Sequence, residues 1–147
     1  MPFIDSIRWD SAGLVPMVVQ DGKTRDVLMV GWVNREALAR TVQTGFTHFW
    51  SRSRGKLWKK GESSGHVQIV KELLVDCDMD TVVALVEPRG AACHAGYGSC
   101  FYRRLEPLSL GGSLVACCER EFDPCEVYGD QAAGTRQEDG KGEADAR

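Results

Sequence analysis

The chain has 147 residues, is 43% hydrophobic and carries a net charge of −3. That length fits one domain with a sizeable core, with or without a partner to complete it. No apolar run approaches the ~20 residues of a membrane span and no apolar signal segment follows Met1, so a cytoplasmic protein without membrane contacts is expected. The charge is unevenly spread: residues 119–147 hold nine Asp/Glu against four Lys/Arg, whereas residues 1–118 hold twelve against fourteen. The pattern predicts a folded domain over 1–118 and an acidic C-terminal extension over 119–147, disordered from about 131. Arg52, Arg54, Lys56, Lys59 and Lys60 gather basic charge locally. That suits a small anion and is not the footprint of a nucleic-acid binder.

Leu14–Gln20 and Asp26–Val33 flank Asp21-Gly22-Lys23-Thr24, a hairpin signal. Asn34 is placed to cap a helix with Glu36 in its first turn, Ala37, Leu38, Thr41 and Val42 as its short apolar face, and Gly45 as its stop. Thr47–Ser51 and Lys56–Lys60 read as strands around Ser53-Arg54-Gly55. His66–Val75 and Thr81–Val86 continue the strand pattern across an acidic motif, and Pro88-Arg89-Gly90 marks a turn. Ala91–Arg103 reads as a constrained loop leading into a strand. The expected fold is α+β, mainly β, a compact mixed sheet with one clear helix.

The acidic motif is Asp76-Cys77-Asp78-Met79-Asp80. On a strand its three carboxylates would project from one face and Cys77 from the other. Hard oxygens suit magnesium, calcium or manganese and a thiolate suits zinc, so two different ions are indicated. A calcium-loop reading fails, because Thr81 stands where the loop needs glycine and the flanks read as strands. A straight strand would also hold the Asp76 and Asp80 Cα atoms about 13 Å apart, so either the chain bends near Asp78 or some carboxylates act through water. Cys77, Cys93 and Cys100 make a three-thiolate set with a fourth position left open. His94 is a fourth ligand, a proton carrier or a hydrogen-bonded loop residue. Cys117, Cys118 and Cys125 are expected as partly buried thiols. Trp50-Ser51-Arg52-Ser53-Arg54 through Lys60-Gly61-Glu62-Ser63-Ser64-Gly65 supplies hydroxyls, guanidinium groups and glycines suited to phosphate, or else forms a solvated hairpin. Trp50 and Trp58 stack on a base in one reading and fill the core in the other.

Taken together, Val30-Gly31-Trp32-Val33-Asn34, Phe49-Trp50-Ser51-Arg52-Ser53-Arg54, Leu57 through Gly65, Asp76 through Asp80, and Ala92-Cys93-His94 through Ser99-Cys100-Phe101 resemble the phosphoribosyl-AMP cyclohydrolases of histidine biosynthesis. The likeness runs in unbroken order over about residues 14–105. It implies hydrolysis of the N1–C6 bond of 1-(5-phosphoribosyl)-AMP by an intertwined homodimer. Zinc is implied at Cys77, Cys93 and Cys100, shared between subunits, and magnesium at Asp76, Asp78 and Asp80. On this reading His94 moves the proton, while Trp50, Ser51, Arg52, Arg54, Lys60 and Ser64 contact the nucleotide. The family usually has Pro and Thr where this chain has Ala91 and Ala95. The remaining tail is too short and polar for the pyrophosphatase domain to which the family is often fused, so a monofunctional chain is expected. The competing reading is a zinc-stabilised binding module with His94 as fourth ligand and no turnover. The His-x-Glu and Pro-Cys-x-x-Cys signature of base deaminases is absent.

Overall fold

The computed structural model describes residues 2–129, and the disorder expected from about residue 131 lies outside them. The chain enters through a five-residue helix, α1 (Pro2–Ser6), which buries Ile4. Alternation then builds a hairpin. β1 (Val15–Asp21) buries Val15, Met17 and Val19 on one face and pairs antiparallel with β2 (Val27–Val33), Val15 opposite Val33. Asp21 orders the turn by accepting from the backbone N–H groups of Lys23 and Thr24.

The expected helix is α2 (Arg35–Thr44). Asn34 Oδ1 accepts from the Ala37 N–H at 2.8 Å, and Gly45 takes the left-handed conformation (φ 73°) that closes the last turn. Its buried residues are Ala37, Leu38 and Thr41. The Thr41 hydroxyl donates to the Ala37 carbonyl and accepts from the His48 N–H, each at 2.9 Å, which fastens the helix to the next strand. That strand, β3 (His48–Ser51), forms a second hairpin with β4 (Lys56–Lys59), Phe49 opposite Trp58. The hairpin lies close against β2 because Gly31 has no side chain. A Cβ there would fall 2.6 Å from Phe49 Cε1 and nearer still to Cδ1.

β5 (Gln68–Val75) and β6 (Val82–Pro88) pair antiparallel, and β6 runs parallel to β1, giving the sheet order β2-β1-β6-β5. Its inner face, with Val82, Ala84 and Val86, packs with Met17, Val19, Val33, Leu38 and Phe49 in one core. The architecture is the expected strand-dominated α+β class. Beyond the strand expected to follow the Ala91–Arg103 loop, it also contains pieces that no hydrophobic pattern announces. β7 (Arg103–Glu106) and β8 (Ser113–Ala116) form a hairpin exposed at every position, so no alternation marks it. Helix α3 (Pro124–Tyr128) was legible in principle: Asp123 accepts from the Cys125 N–H at 2.9 Å and Pro124 follows it. The described part of the acidic extension packs back on the domain, with the Glu121 N–H donating to the Gly96 carbonyl at 2.6 Å. Among the described residues no helix is long and apolar enough to cross a membrane.

Candidate functional site

The acidic motif does not continue the strand. It is the turn that joins β5 to β6, so the expected division into two strand faces is corrected. The Asp76 N–H donates to the Thr81 carbonyl and the Met79 N–H to the Asp76 carbonyl. Asp76 Oδ1 accepts from the Asp80 and Thr81 N–H groups at 3.0 and 3.1 Å. Met79 takes a left-handed φ of 65°, a local cost of the kind found where geometry serves a site. The bend brings ligand atoms of Asp76, Asp78 and Asp80 within 4.8 Å of one another, all exposed, in place of a separation of about 13 Å along a strand. The charges of Asp80 and Asp76 push the Asp78 carboxyl above its ordinary range. For Asp76 desolvation acts in the same upward sense, yet the Thr81 and Asp80 N–H donors hold the carboxyl below its usual value.

At the other end of β6 the chain passes through buried Ala91, Ala92 and Cys93. A tight loop follows, in which the Gly96 N–H donates to the Cys93 carbonyl and the Cys93 N–H to the Tyr97 carbonyl. Cys100 returns to the free edge of β2, where its N–H donates to the Leu28 carbonyl at 2.8 Å. This brings the thiols of Cys93 and Cys100 together. A hydrogen bond from Cys100 draws the Cys93 thiol down to about 4; burial opposes this and a hydrogen bond from His94 assists it. Cys77 is exposed in the acidic turn and does not join them. Cys117, Cys118 and Cys125, expected as partly buried, are exposed.

The basic hairpin divides in two. At its turn Ser51 is buried, and its hydroxyl accepts from the backbone N–H and Nε of Arg54 at 3.3 and 3.2 Å; Arg52 lies over the Trp32 ring at 4.7 Å. Trp50 is half-buried, whereas Trp58 stacks on Phe49 with ring centres 4.9 Å apart. Lys60 lies at the opposite end of β4. Burial lowers its ammonium, and the charges of Cys100 and Cys93 oppose that shift. The loop beyond it turns at Gly61 (φ 84°), where a Cβ would fall 2.6 Å from the Val67 nitrogen, and Ser64 Oγ accepts from the His66 N–H. Two buried donors, Trp58 Nε1 and Gln68 Nε2, lack hydrogen-bond partners among the described residues. The inward position of Lys60 escaped the sequence reading, although residues 56, 58 and 60 alternate onto the face that carries Trp58.

The two donor sets differ in hardness. Converging carboxylates fit a hard cation such as magnesium, and a low-pKa thiol pair fits zinc but supplies only two of four tetrahedral positions. The family profile described as phosphoribosyl-AMP cyclohydrolase matches residues 29–102, which contain every one of these groups. Curated relatives carry the same description. One from Methanosarcina barkeri is 61% identical over 116 residues, covering 79% of this chain and 84% of the relative. One from Pelotomaculum thermopropionicum is 56% identical over 130 residues, 88% of this chain and 98% of the relative. A third, from Methanococcoides burtonii, is 52% identical over 125 residues, 85% and 98% respectively.

Proposed function

The chain belongs to the phosphoribosyl-AMP cyclohydrolase family of enzymes, and on that footing we propose that it hydrolyses the N1–C6 purine bond of 1-(5-phosphoribosyl)-AMP in histidine biosynthesis. The observation that carries the mechanism is the pair of donor sets at opposite ends of β6, soft thiols at one and hard carboxylates at the other. When bound, zinc at Cys93, Cys100 and a Cys77 would supply Lewis acidity toward water, and magnesium at Asp76, Asp78 and Asp80 would offset phosphate charge. His94, hydrogen-bonded to the Cys93 sulfur, is the residue we assign to carry the proton between the attacking water and the departing ring nitrogen. Arg54, ordered by Ser51, would hold one phosphate together with Arg52, the hydroxyl of Ser64 in the loop beyond the other end of β4 would face a second, and half-buried Trp50 would bear on the base.

Distance supports a shared zinc site. The seven residues of β6 span about 20 Å of strand between the end near the acidic turn and the end near Cys93, so Cys77 of the same chain is out of reach. A second copy would supply it. The β7–β8 hairpin offers the surface for that copy, since Leu108, Leu110 and Leu114 are 90%, 110% and 65% exposed. The six free thiols suit a reducing compartment such as the cytoplasm. The test is ring opening of 1-(5-phosphoribosyl)-AMP, followed by ultraviolet absorbance, with chelator-stripped protein and each metal restored separately and together. Turnover that requires both ions supports the proposal. Tightly bound zinc with no turnover under any combination would point to a binding module instead.

A further inference from the structure

We propose that Phe122 is a positioning residue for the reaction: it ties the loop that carries Ser64 to the loop that carries Cys93 and His94, and so fixes the spacing between the phosphate-binding and thiol parts of the site. This rests on the reading of those two loops as parts of one active site.

Phe122 reaches one loop through its backbone and the other through its ring. The backbone belongs to a strap, residues 117–122, laid along the thiol loop. At the start of the strap the Cys117 N–H donates to the Tyr102 carbonyl at 2.8 Å. The Arg120 guanidinium then lies 5.6 Å from the centre of the Tyr97 ring, which itself stacks on Tyr102 with centres 3.6 Å apart. At the end of the strap the Glu121 and Phe122 N–H groups both donate to the Gly96 carbonyl, at 2.6 and 3.4 Å. Gly96 is buried, and its own N–H donates to the Cys93 carbonyl at 3.0 Å, so one residue is fastened to the strap on one side and to the cysteine on the other. Only glycine fits there: its φ is 95°, and a Cβ would collide with the Phe122 carbonyl oxygen.

The ring goes to the other loop. It meets the His66 ring edge to face, with centres 5.0 Å apart and planes at 72°. The His66 N–H donates to Ser64 Oγ at 3.2 Å, and the His66 ring lies against Gly90, where a Cβ would fall 2.6 Å from Cδ2. Ser64 follows β4, in the two-stranded sheet, whereas Cys93 follows β6, in the four-stranded one. Loops from separate sheets keep a fixed spacing only where side chains bridge them, and a misplacement of about 1 Å at a reacting centre is costly. Phe122 lies beyond residue 102, where the match to the family profile stops, so the bridge is supplied by the C-terminal extension of this chain.

Amide hydrogen exchange of the full-length protein tests the bridge without reference to turnover. In Phe122→Ala the amides of residues 61–66 should exchange about 2- to 10-fold faster, the range an edge-to-face ring pair is worth, while those of α2 stay unchanged. The same variant should raise KM for 1-(5-phosphoribosyl)-AMP by a similar factor and leave kcat within about threefold, because the strap backbone still holds the thiol loop. Phe122→Tyr, which keeps a ring edge, should restore both readings, and Phe122→Leu should restore neither in full; the leucine variant also serves should Phe122→Ala fail to fold. Phe122→Ala combined with His66→Ala should raise KM no further than either change alone. Unchanged exchange in residues 61–66 would overturn the bridge. Faster exchange there with KM unchanged would overturn the positioning role and leave Phe122 a structural anchor. Faster exchange throughout α2 and the core strands, with Phe122→Tyr no better than Phe122→Ala, would overturn it as general destabilisation. Absence of turnover in the wild type is a different failure, that of the proposed function, and the positioning role falls with it whatever the exchange shows.

Discussion

Gly31→Ala tests how the hairpin that carries the basic residues is held on the sheet. Gly31 lies in β2 opposite Met17, and the added methyl would sit 2.6 Å from Phe49 Cε1 and nearer still to Cδ1. Ordinary carbon contacts are about 3.5–4.0 Å, so the ring must retreat by roughly 1 Å. It has little room, because Phe49 is fully buried with Trp58 stacked on it. The backbone at Gly31 has no left-handed φ to penalise, which leaves a purely steric cost of about 1–3 kcal/mol, toward the upper part of that range for a ring hemmed in on both sides. At roughly 3–4 °C per kcal/mol for a chain of this size, the melting temperature should fall by about 6–12 °C. Circular dichroism melts of metal-loaded protein give the number. A fall of less than about 2 °C would refute the clash. Gly31→Ala combined with Phe49→Leu should be less destabilised than the two single changes added together, by about 1 kcal/mol, since the smaller side chain vacates the space. Strict additivity would show that the two positions do not touch.

Other perturbations address the metal sites and the assembly. Asp78 titrates above its ordinary 3.8 because of Asp80 and Asp76, so the stability it contributes is present in full below that value and is lost as pH rises through the raised one. Urea denaturation of metal-free protein should record that loss, and either magnesium or Asp78→Asn should abolish it; a loss that survives both would refute the assignment. His94→Ala should lower kcat by about 10²–10⁴-fold with zinc content unchanged, whereas zinc lost in proportion to activity would make His94 a ligand. Leu108→Glu with Leu114→Glu should yield monomers by light scattering and reduce bound zinc, and an intact dimer would remove the β7–β8 hairpin from the interface.

The sequence was most readable where local chemistry decides the structure. Asn34 and Gly45 bracket α2 because a cap and a left-handed stop are local devices, and alternation located β1 through β6 to within a few residues. The sheet order was not readable. The parallel contact of β1 with β6 joins residues more than sixty positions apart, and nothing in either strand names its partner. The acidic motif misled because apolar strand residues flank it on both sides. Its bend depends on Met79 adopting a left-handed conformation that glycine or asparagine would have announced. The donor types were legible, and so was the association of Cys93 with Cys100, but not the position of Cys77 in the turn away from them. That Cys93 and Cys100 meet depends on Cys100 docking on Leu28, in a strand far from it in sequence.

The arrangement of thiols has a consequence for mixed assemblies. If Cys93 and Cys100 of one copy need Cys77 of another, chains carrying Cys77→Ala and chains carrying Cys93→Ala are each inactive alone. Mixed and refolded together they should recover. In a heterodimer the Cys77→Ala chain offers an intact Cys93–Cys100 pair and the Cys93→Ala chain an intact Cys77, which rebuilds one site of two. The second site then lacks both. With random pairing about half the dimers are mixed and each holds one good site, so activity and bound zinc should return to about one quarter of wild type. A site built within one chain predicts no recovery at all, because every chain in the mixture lacks one of its own ligands. The strand geometry argues against that outcome, since it would require the acidic turn to cross about 20 Å of β6 to reach Cys93. Recovery of bound zinc without activity would separate the two ends of β6, leaving the shared thiols in place while removing any requirement that the carboxylate turn act at the same site.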